Sequence, residues 1–233
     1  MSPVSRLFSK RTHAVLLPAA VLALAQFVGP QFVGPELVGP DPEPTTSSSA
    51  SVTTTADQPS TRSSQQASGQ PSEAVEQRID AAREAGCTMA HTALRATRDA
   101  KIPYYVGCAF LVQETGGGRN VFGHDPTVFA GAGKVTRAKY LAYKTVRERT
   151  GQMQGVGPMQ LTWYSYQDRA DRLGGAWKPY PNMLVGFRHL AALHRSTGSW
   201  TAAAHEYNGG GAAAEAYAVT MDERFTQMRD ALA

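Results

Sequence analysis

Cysteine is almost absent from the chain: Cys87 and Cys108 are the only two in 233 residues. So few exclude a disulfide-dense scaffold and a cysteine-ligated zinc site. Histidine does not make up the deficit, because His189 and His194 stand five apart and His205 lies eleven further on, which is not ligand spacing. No metal and no other cofactor is therefore expected. Stretches that alternate apolar and polar side chains are also missing, which excludes half-buried strands and leaves an all-α domain. The apolar stretch over residues 14–28 contains Pro18 and falls short of the roughly 20 residues a bilayer span needs. Lys and Arg are scattered, with no basic helix and no aromatic-basic interleaving, so nucleic acid is not an expected partner.

What the chain does contain is unevenly distributed. Arg6, Lys10 and Arg11, a short apolar run and the Ala23-Leu24-Ala25 tripeptide read as a secretory signal peptide, residues 1–25. An uncleaved anchor is the alternative; after cleavage no membrane span remains. Residues 26–71 read as a disordered linker. They open with three pentads, 26–30, 31–35 and 36–40, each ending Val-Gly-Pro, and continue in Ser, Thr, Pro and Gln. Such a segment buries too little apolar surface to offset its chain entropy, and the pentads read as a duplication rather than a binding motif. Residues 72–233 are then one domain. It carries the whole net charge, 19 Lys and Arg against 15 Asp and Glu, or +4. A mildly basic exported domain suits an anionic surface such as a bacterial wall.

Within the domain, Ser72 is expected to cap a first helix whose stripe is Val75, Ile79, Ala82 and Gly86. Residues 88–100 form a second helix, and Pro103 starts a third as its first residue. That third helix ends in Glu114 and Thr115, followed by Gly116, Gly117 and Gly118. Residues three, four and seven apart share a helical face, so Glu114 stands with Gly107, Phe110 and Leu111. An ionised carboxylate out of water costs several kcal/mol unless paired, so a half-buried glutamate keeps its proton to higher pH and can donate it near neutrality. Glu114 is the candidate general acid, with a solvated or salt-bridged glutamate as the plain alternative. The glycines after it are expected to end the helix and to leave room for something bulky to approach. Cys87 and Cys108, an even pair in an exported protein, read as a disulfide from the end of the first helix to the helix of Glu114, or else as two buried thiols.

Residues 116–135 are Gly-rich and carry Arg119, Asn120, His124 and Asp125; a loop this long lines a site or is a plain surface excursion. Residues 136–149 read as a Lys/Arg-rich amphipathic helix. In the turn-rich stretch 151–163, the Gln160 amide both donates and accepts. That suits a sugar N-acetyl or hydroxyl group, and it suits a loop staple equally. After a short helix at 165–173, Asn182 is expected to cap a helix carrying Met183, Phe187, Leu190 and Leu193, with Gly186 admitting a neighbouring helix. Ser199 caps another, which puts Trp200, Ala203, Ala204 and Tyr207 on one face. A buried Tyr207 phenol needs a partner, and so does a buried acid. Asn208-Gly209-Gly210 ends that helix, and a last one runs through Met221, Phe225, Met228 and Leu232.

Taken in order, Glu114-Thr115, then Gly157-Pro158-Met159-Gln160-Leu161, the Asn182, Gly186, Leu190, Leu193 spacing and Glu206-Tyr207-Asn208-Gly209-Gly210 resemble the motifs of soluble lytic transglycosylases and their goose-type lysozyme relatives. The resemblance covers roughly residues 102–210. It implies a lysozyme-like helical domain with a substrate groove. It also implies cleavage of the β-1,4 bond between N-acetylmuramic acid and N-acetylglucosamine in peptidoglycan. By the same resemblance Glu114 protonates the glycosidic oxygen, Gln160 lines the groove, Tyr207 holds the acid and Asn208 faces substrate. Thr115 keeps the hydroxyl of the family's serine and counts with the substrate-binding residues.

The lytic members form 1,6-anhydro ends with help from the substrate's own N-acetyl group, whereas the goose-type relatives hydrolyse, with aspartates positioning water. Asp125 is the candidate for that role, although Thr162 stands where those relatives carry an aspartate. Pro158 and Glu206 depart from the pattern; Glu206 either faces the cleft and holds the Glu114 pKa up, or faces solvent. The long stretch between Glu114 and Gln160 is expected to roof one end of the groove. The expectation is a secreted, cell-wall-associated monomer that acts on peptidoglycan glycan strands as a lytic transglycosylase. A hydrolysing lysozyme and a non-catalytic peptidoglycan-binding module are the alternatives.

Overall fold

A computed structural model describes residues 73–233. The expected signal peptide (1–25), linker (26–71) and Ser72 cap lie outside the described residues. Eight helices follow in order: α1 (Glu73–Glu84), α2 (Ala90–Ala100), α3 (Tyr104–Thr115), α4 (Arg137–Thr150), α5 (Tyr164–Arg172), α6 (Pro179–Thr197), α7 (Trp200–Asn208) and α8 (Ala212–Ala231). Among the described residues there is no strand, and the all-α expectation holds. Of three isolated β-bridges, Phe122 with Val156 ties the two irregular segments together, while Val121 with Lys134 and Val156 with Leu161 lie within one segment each.

The helix α3 is apolar on every side, and Tyr104, the run Val106 through Leu111, and Thr115 are all buried. A helix of this kind belongs in the middle of a bundle. It packs against α2 and α8; α2 in turn packs on α6, and α6, α7 and α8 follow one another around it. Gly107 makes the crossing possible. A methyl group there would collide with Thr97 Cγ2 on α2 and lie 3.0 Å from Phe187 Cζ on α6. Cys87, just beyond α1, is disulfide-bonded to Cys108 in α3, with Cα atoms 5.4 Å apart. Closing a loop with a sequence separation of 21 restricts the unfolded chain by about 3 kcal/mol in the loop-entropy account.

Ser199 caps α7 as expected, its hydroxyl accepting the Ala202 amide; Thr136, read as the first residue of its helix, is instead the cap of α4 and accepts the Lys139 amide. Three further local expectations need correction. Pro103 is the residue before α3 rather than its first, with extended backbone at ψ 141°. Asn182 does not cap α6. That helix already begins at Pro179, where prolines need no partner for an amide they lack, and Asn182 sits fully buried inside its first turns. Gly186 admits no neighbouring helix; a Cβ there would lie 2.8 Å from Met159 Cβ, so the glycine receives the loop that carries Gln160.

The glycines after Glu114 also do something other than admit a ligand. Gly116 closes α3 in the left-handed region at φ 62°, while the space beside Gly117 is taken by the Gly86 carbonyl and Thr88. Thr88 Oγ1 donates to the Gly117 carbonyl at 2.8 Å.

Replacing Gly107 by alanine is expected to cost about 1–3 kcal/mol, because α2 and α6 must separate to admit one methyl group. Urea unfolding followed by circular dichroism checks it; an unchanged midpoint would mean the crossing is looser than described.

Candidate active site

A cleft of about 250 Å³ opens at the C-terminal end of α3, lined by Glu114, His124, Asp125, Gly155, Gln160, Thr162, Tyr207 and Asn208. Five of the six residues proposed for a site from sequence therefore meet in one place. A second cavity of about 240 Å³, between Ala85, Ala109, Val112, Arg224, Gln227 and Met228, lies elsewhere and contains no carboxylate.

Glu114 is half-buried at the end of the most apolar helix. Burial pushes its carboxyl up from 4.5 to about 7, while a hydrogen bond from Tyr217 pulls in the opposite direction. The Tyr217 hydroxyl donates to Glu114 Oε1, and among the described residues no other hydrogen bond reaches this carboxyl group. One oxygen is held and the other is left to the cleft. Near neutral pH the group is thus divided between a form that can donate a proton and one that can accept it.

The partner of the acid corrects the sequence expectation. Tyr207 does not hold Glu114: its hydroxyl donates to the Met159 carbonyl at 2.7 Å, and its ring packs on Phe110, with centroids 5.2 Å apart. The phenol that holds the acid comes from α8. Tyr217 extends the stripe of Met221, Phe225 and Met228 by one turn, a signal present in the sequence because 217, 221, 225 and 228 share a face. Burial, and then the nearby Glu114 charge, hold both phenols well above their ordinary range, so both remain donors at any physiological pH.

Thr115 is corrected as well. It is 5% exposed, lines no part of the cleft, and its hydroxyl donates inward to the Pro158 carbonyl at 3.2 Å. It joins α3 to the opposite wall instead of meeting a ligand.

That wall is built around Gln160, a non-glycine residue in the left-handed region at φ 45°. Its amide nitrogen donates to Gly157 O at 2.8 Å and Val121 O at 3.1 Å, so the loop-staple reading is correct for the donor. The carbonyl Oε1 lies where a side chain at Gly123 or Gly155 would be, and the Gly123 position is also only 2.9 Å from Asp125 Oδ2. Asp125 Oδ2 accepts the Gly155 amide at 2.7 Å and Gln154 Nε2 at 2.9 Å, and Asp125 lines the cleft. Asn208 ends α7, and among the described residues no hydrogen bond occupies its side-chain amide.

No family model, no curated protein and no solved structure matches the chain. Glu206 is exposed and lies 3.3 Å from His205, away from the acid. His189, behind Tyr207 with ring centroids 5.7 Å apart, is held down to about 4 by burial and then by Arg169, so it is a neutral packing ring. Among the described residues no group of three metal-ligating side chains occurs.

Two outcomes follow from the environment of Glu114. Because its folded carboxyl titrates near 7 and its unfolded one near 4.5, the folded state binds the proton more tightly. The resulting stabilisation is complete below about 4.5 and is lost as pH rises through 7. Glu114→Gln is therefore expected to match wild type at pH 4 and to exceed it by about 2 kcal/mol at pH 8, a figure discounted for partial exposure. Thermal melts at the two pH values measure this, and equal melting at both would show that the carboxyl is solvated. Tyr217→Phe removes a donor to the charged form, so Glu114 is expected to titrate above its wild-type value in a carboxyl-carbon NMR titration.

Proposed function

We propose that the chain is a peptidoglycan-cleaving glycosidase of the lysozyme-like kind, acting between N-acetylmuramic acid and N-acetylglucosamine with Glu114 as general acid and then base. The observation that carries the proposal is a carboxyl group held near pKa 7 at the base of a polar cleft. The order of motifs that resembles the lytic transglycosylases supports the choice of substrate.

In the first step Glu114 gives its proton to the glycosidic oxygen, and the C1–O bond breaks as the substrate's own acetamido oxygen supports the anomeric carbon. In the second, the Glu114 carboxylate takes the proton of the muramic 6-hydroxyl. That oxygen closes on C1, so the product is a 1,6-anhydro end and no water is consumed. Asn208, with a free amide, and Gln160 Oε1 are the groups suited to the acetamido and hydroxyl groups of the sugar. Tyr217 keeps one carboxyl oxygen in place so that the other carries the proton.

One observation favours a second reading. Asp125 reaches the same cleft, and two carboxyl groups flanking a scissile bond are the usual equipment of hydrolysis. In that case Asp125 orients or deprotonates a water, and the product is a reducing end.

Mass spectrometry of fragments released from purified peptidoglycan separates the readings. Anhydro fragments, one water lighter than reducing muropeptides, are expected from wild type, with release falling about a thousandfold in Glu114→Gln and declining above about pH 7 as the acid loses its proton. Reducing ends abolished by Asp125→Asn would assign hydrolysis. Wall binding with no fragments from wild type would leave only a binding module.

A further inference from the structure

Three tryptophans lie in the described residues, and two have clear structural employment. Trp177 packs on Tyr140, centroids 5.7 Å apart, under the Arg137 guanidinium. Trp200 stacks on His194 at 3.9 Å. Trp163 has none: it is 55% exposed, and among the described residues its ring meets no aromatic group and no cation. Leaving so large an apolar face in water is unfavourable, and tryptophan is a highly buried residue on average.

Its position is not incidental. Trp163 directly follows Thr162, which lines the cleft with Glu114, and Thr162 Oγ1 donates to the Gln160 carbonyl at 3.1 Å. The Trp163 carbonyl accepts the Tyr166 and Gln167 amides at the start of α5, both at 3.1 Å. The backbone beneath the ring is thus fixed from both sides while the ring itself is uncovered. An uncovered indole on a rigid rim beside polar groups is suited to a flat ligand with one apolar face and a polar edge. A pyranose ring has that form, with C–H bonds on its face and hydroxyl and acetamido groups at its edge.

We infer that Trp163 is the stacking platform of a glycan subsite that prolongs the cleft beyond the residues around Glu114, and that it binds a sugar ring of the strand away from the bond being cut. This rests on the glycosidase reading above. The platform acts on binding and not on the chemical step, because it touches neither the acid nor the reacting atoms. Trp163→Ala is therefore expected to raise KM for soluble, peptide-free peptidoglycan strands roughly tenfold, the scale of one lost aromatic contact, with kcat unchanged. Trp163→Phe should recover most of the loss.

The test uses the full chain and its Trp163→Ala and Trp163→Phe forms in turnover assays on those strands. Tryptophan emission is followed in parallel as strands are added to Glu114→Gln, with and without Trp163. A rise in KM restored by phenylalanine, with an emission shift that disappears when Trp163 is removed, supports the platform. Unchanged KM in Trp163→Ala, with wild type cleaving normally, overturns the platform and leaves the glycosidase reading standing. Absence of cleavage by wild type removes the glycosidase reading and the platform with it.

Discussion

The hydrogen bond from Tyr217 to Glu114 sets the terms for the rest of the molecule. It joins the C-terminal end of α3 to the first half of α8 across 103 residues of sequence, and it can exist only if both helices present those side chains to a dry interface. The predominantly apolar character of α3 provides the dryness, and the aromatic packing of Phe110 against Tyr207, Tyr217 and Phe225 provides the walls. A more polar α3 would hydrate the carboxyl and return it to the ordinary acid range. The hydrophobicity that makes α3 the centre of the core is thus the same property that makes Glu114 chemically unusual.

The opposite wall is governed by hydrogen bonding rather than burial. Three side chains from three helices hold consecutive parts of one loop. Thr115 of α3 binds the Pro158 carbonyl, Asn182 of α6 binds the Met159 amide at 2.9 Å and the Val156 carbonyl at 2.8 Å, and Tyr207 of α7 binds the Met159 carbonyl. Gln167 of α5, itself braced by Arg147 of α4 at 2.8 Å, donates to Leu161 O at 2.7 Å from the far side. A left-handed conformation at Gln160 costs about 1–2 kcal/mol, and it persists because these contacts leave the loop no other course. Thr115 and Asn182 thus serve only to position the loop, whereas Tyr207 and Gln160 both hold it and line the cleft with Glu114 and Asn208.

This division explains what was legible in the sequence. Helix periodicity and caps follow local rules, so α4 could be placed from its amphipathic pattern and α7 from Ser199, and Glu114 was visible because its neighbours at i−3, i−4 and i−7 are apolar or small. Partners of side-chain hydrogen bonds are settled by tertiary proximity, and there the sequence misleads. Tyr207 and Tyr217 both lie on apolar faces, and only the α7–α8 turn decides which one reaches the acid. Asn182 has the composition of a cap, but Pro179 and Pro181 before it already begin the helix and free its amide for Val156 and Met159. Gln160 was readable as a residue of the cleft, whereas the assignment of its donor to the loop and its acceptor to the cleft depends on the glycines at 123 and 155.

The acid also constrains how the domain is stabilised. Keeping Glu114 out of water lowers the stability of the folded state at neutral pH by an amount on the order of 2 kcal/mol, because the unfolded chain ionises it freely. The disulfide enters the same helix at Cys108, six residues before Glu114. Its effect of about 3 kcal/mol on the unfolded chain is of similar size and opposite sign. A covalent link is suited to this position because adding polar contacts around α3 would hydrate the carboxyl and abolish its shift. The cross-link stabilises the fold through the unfolded state and leaves the electrostatics of the site untouched. Replacing both cysteines by alanine would therefore test more than stability: if the link acts only in this way, the domain becomes easier to unfold while Glu114 continues to titrate near 7. A fall of that value toward the ordinary range would mean that the link also holds α3 against α8 in the native state.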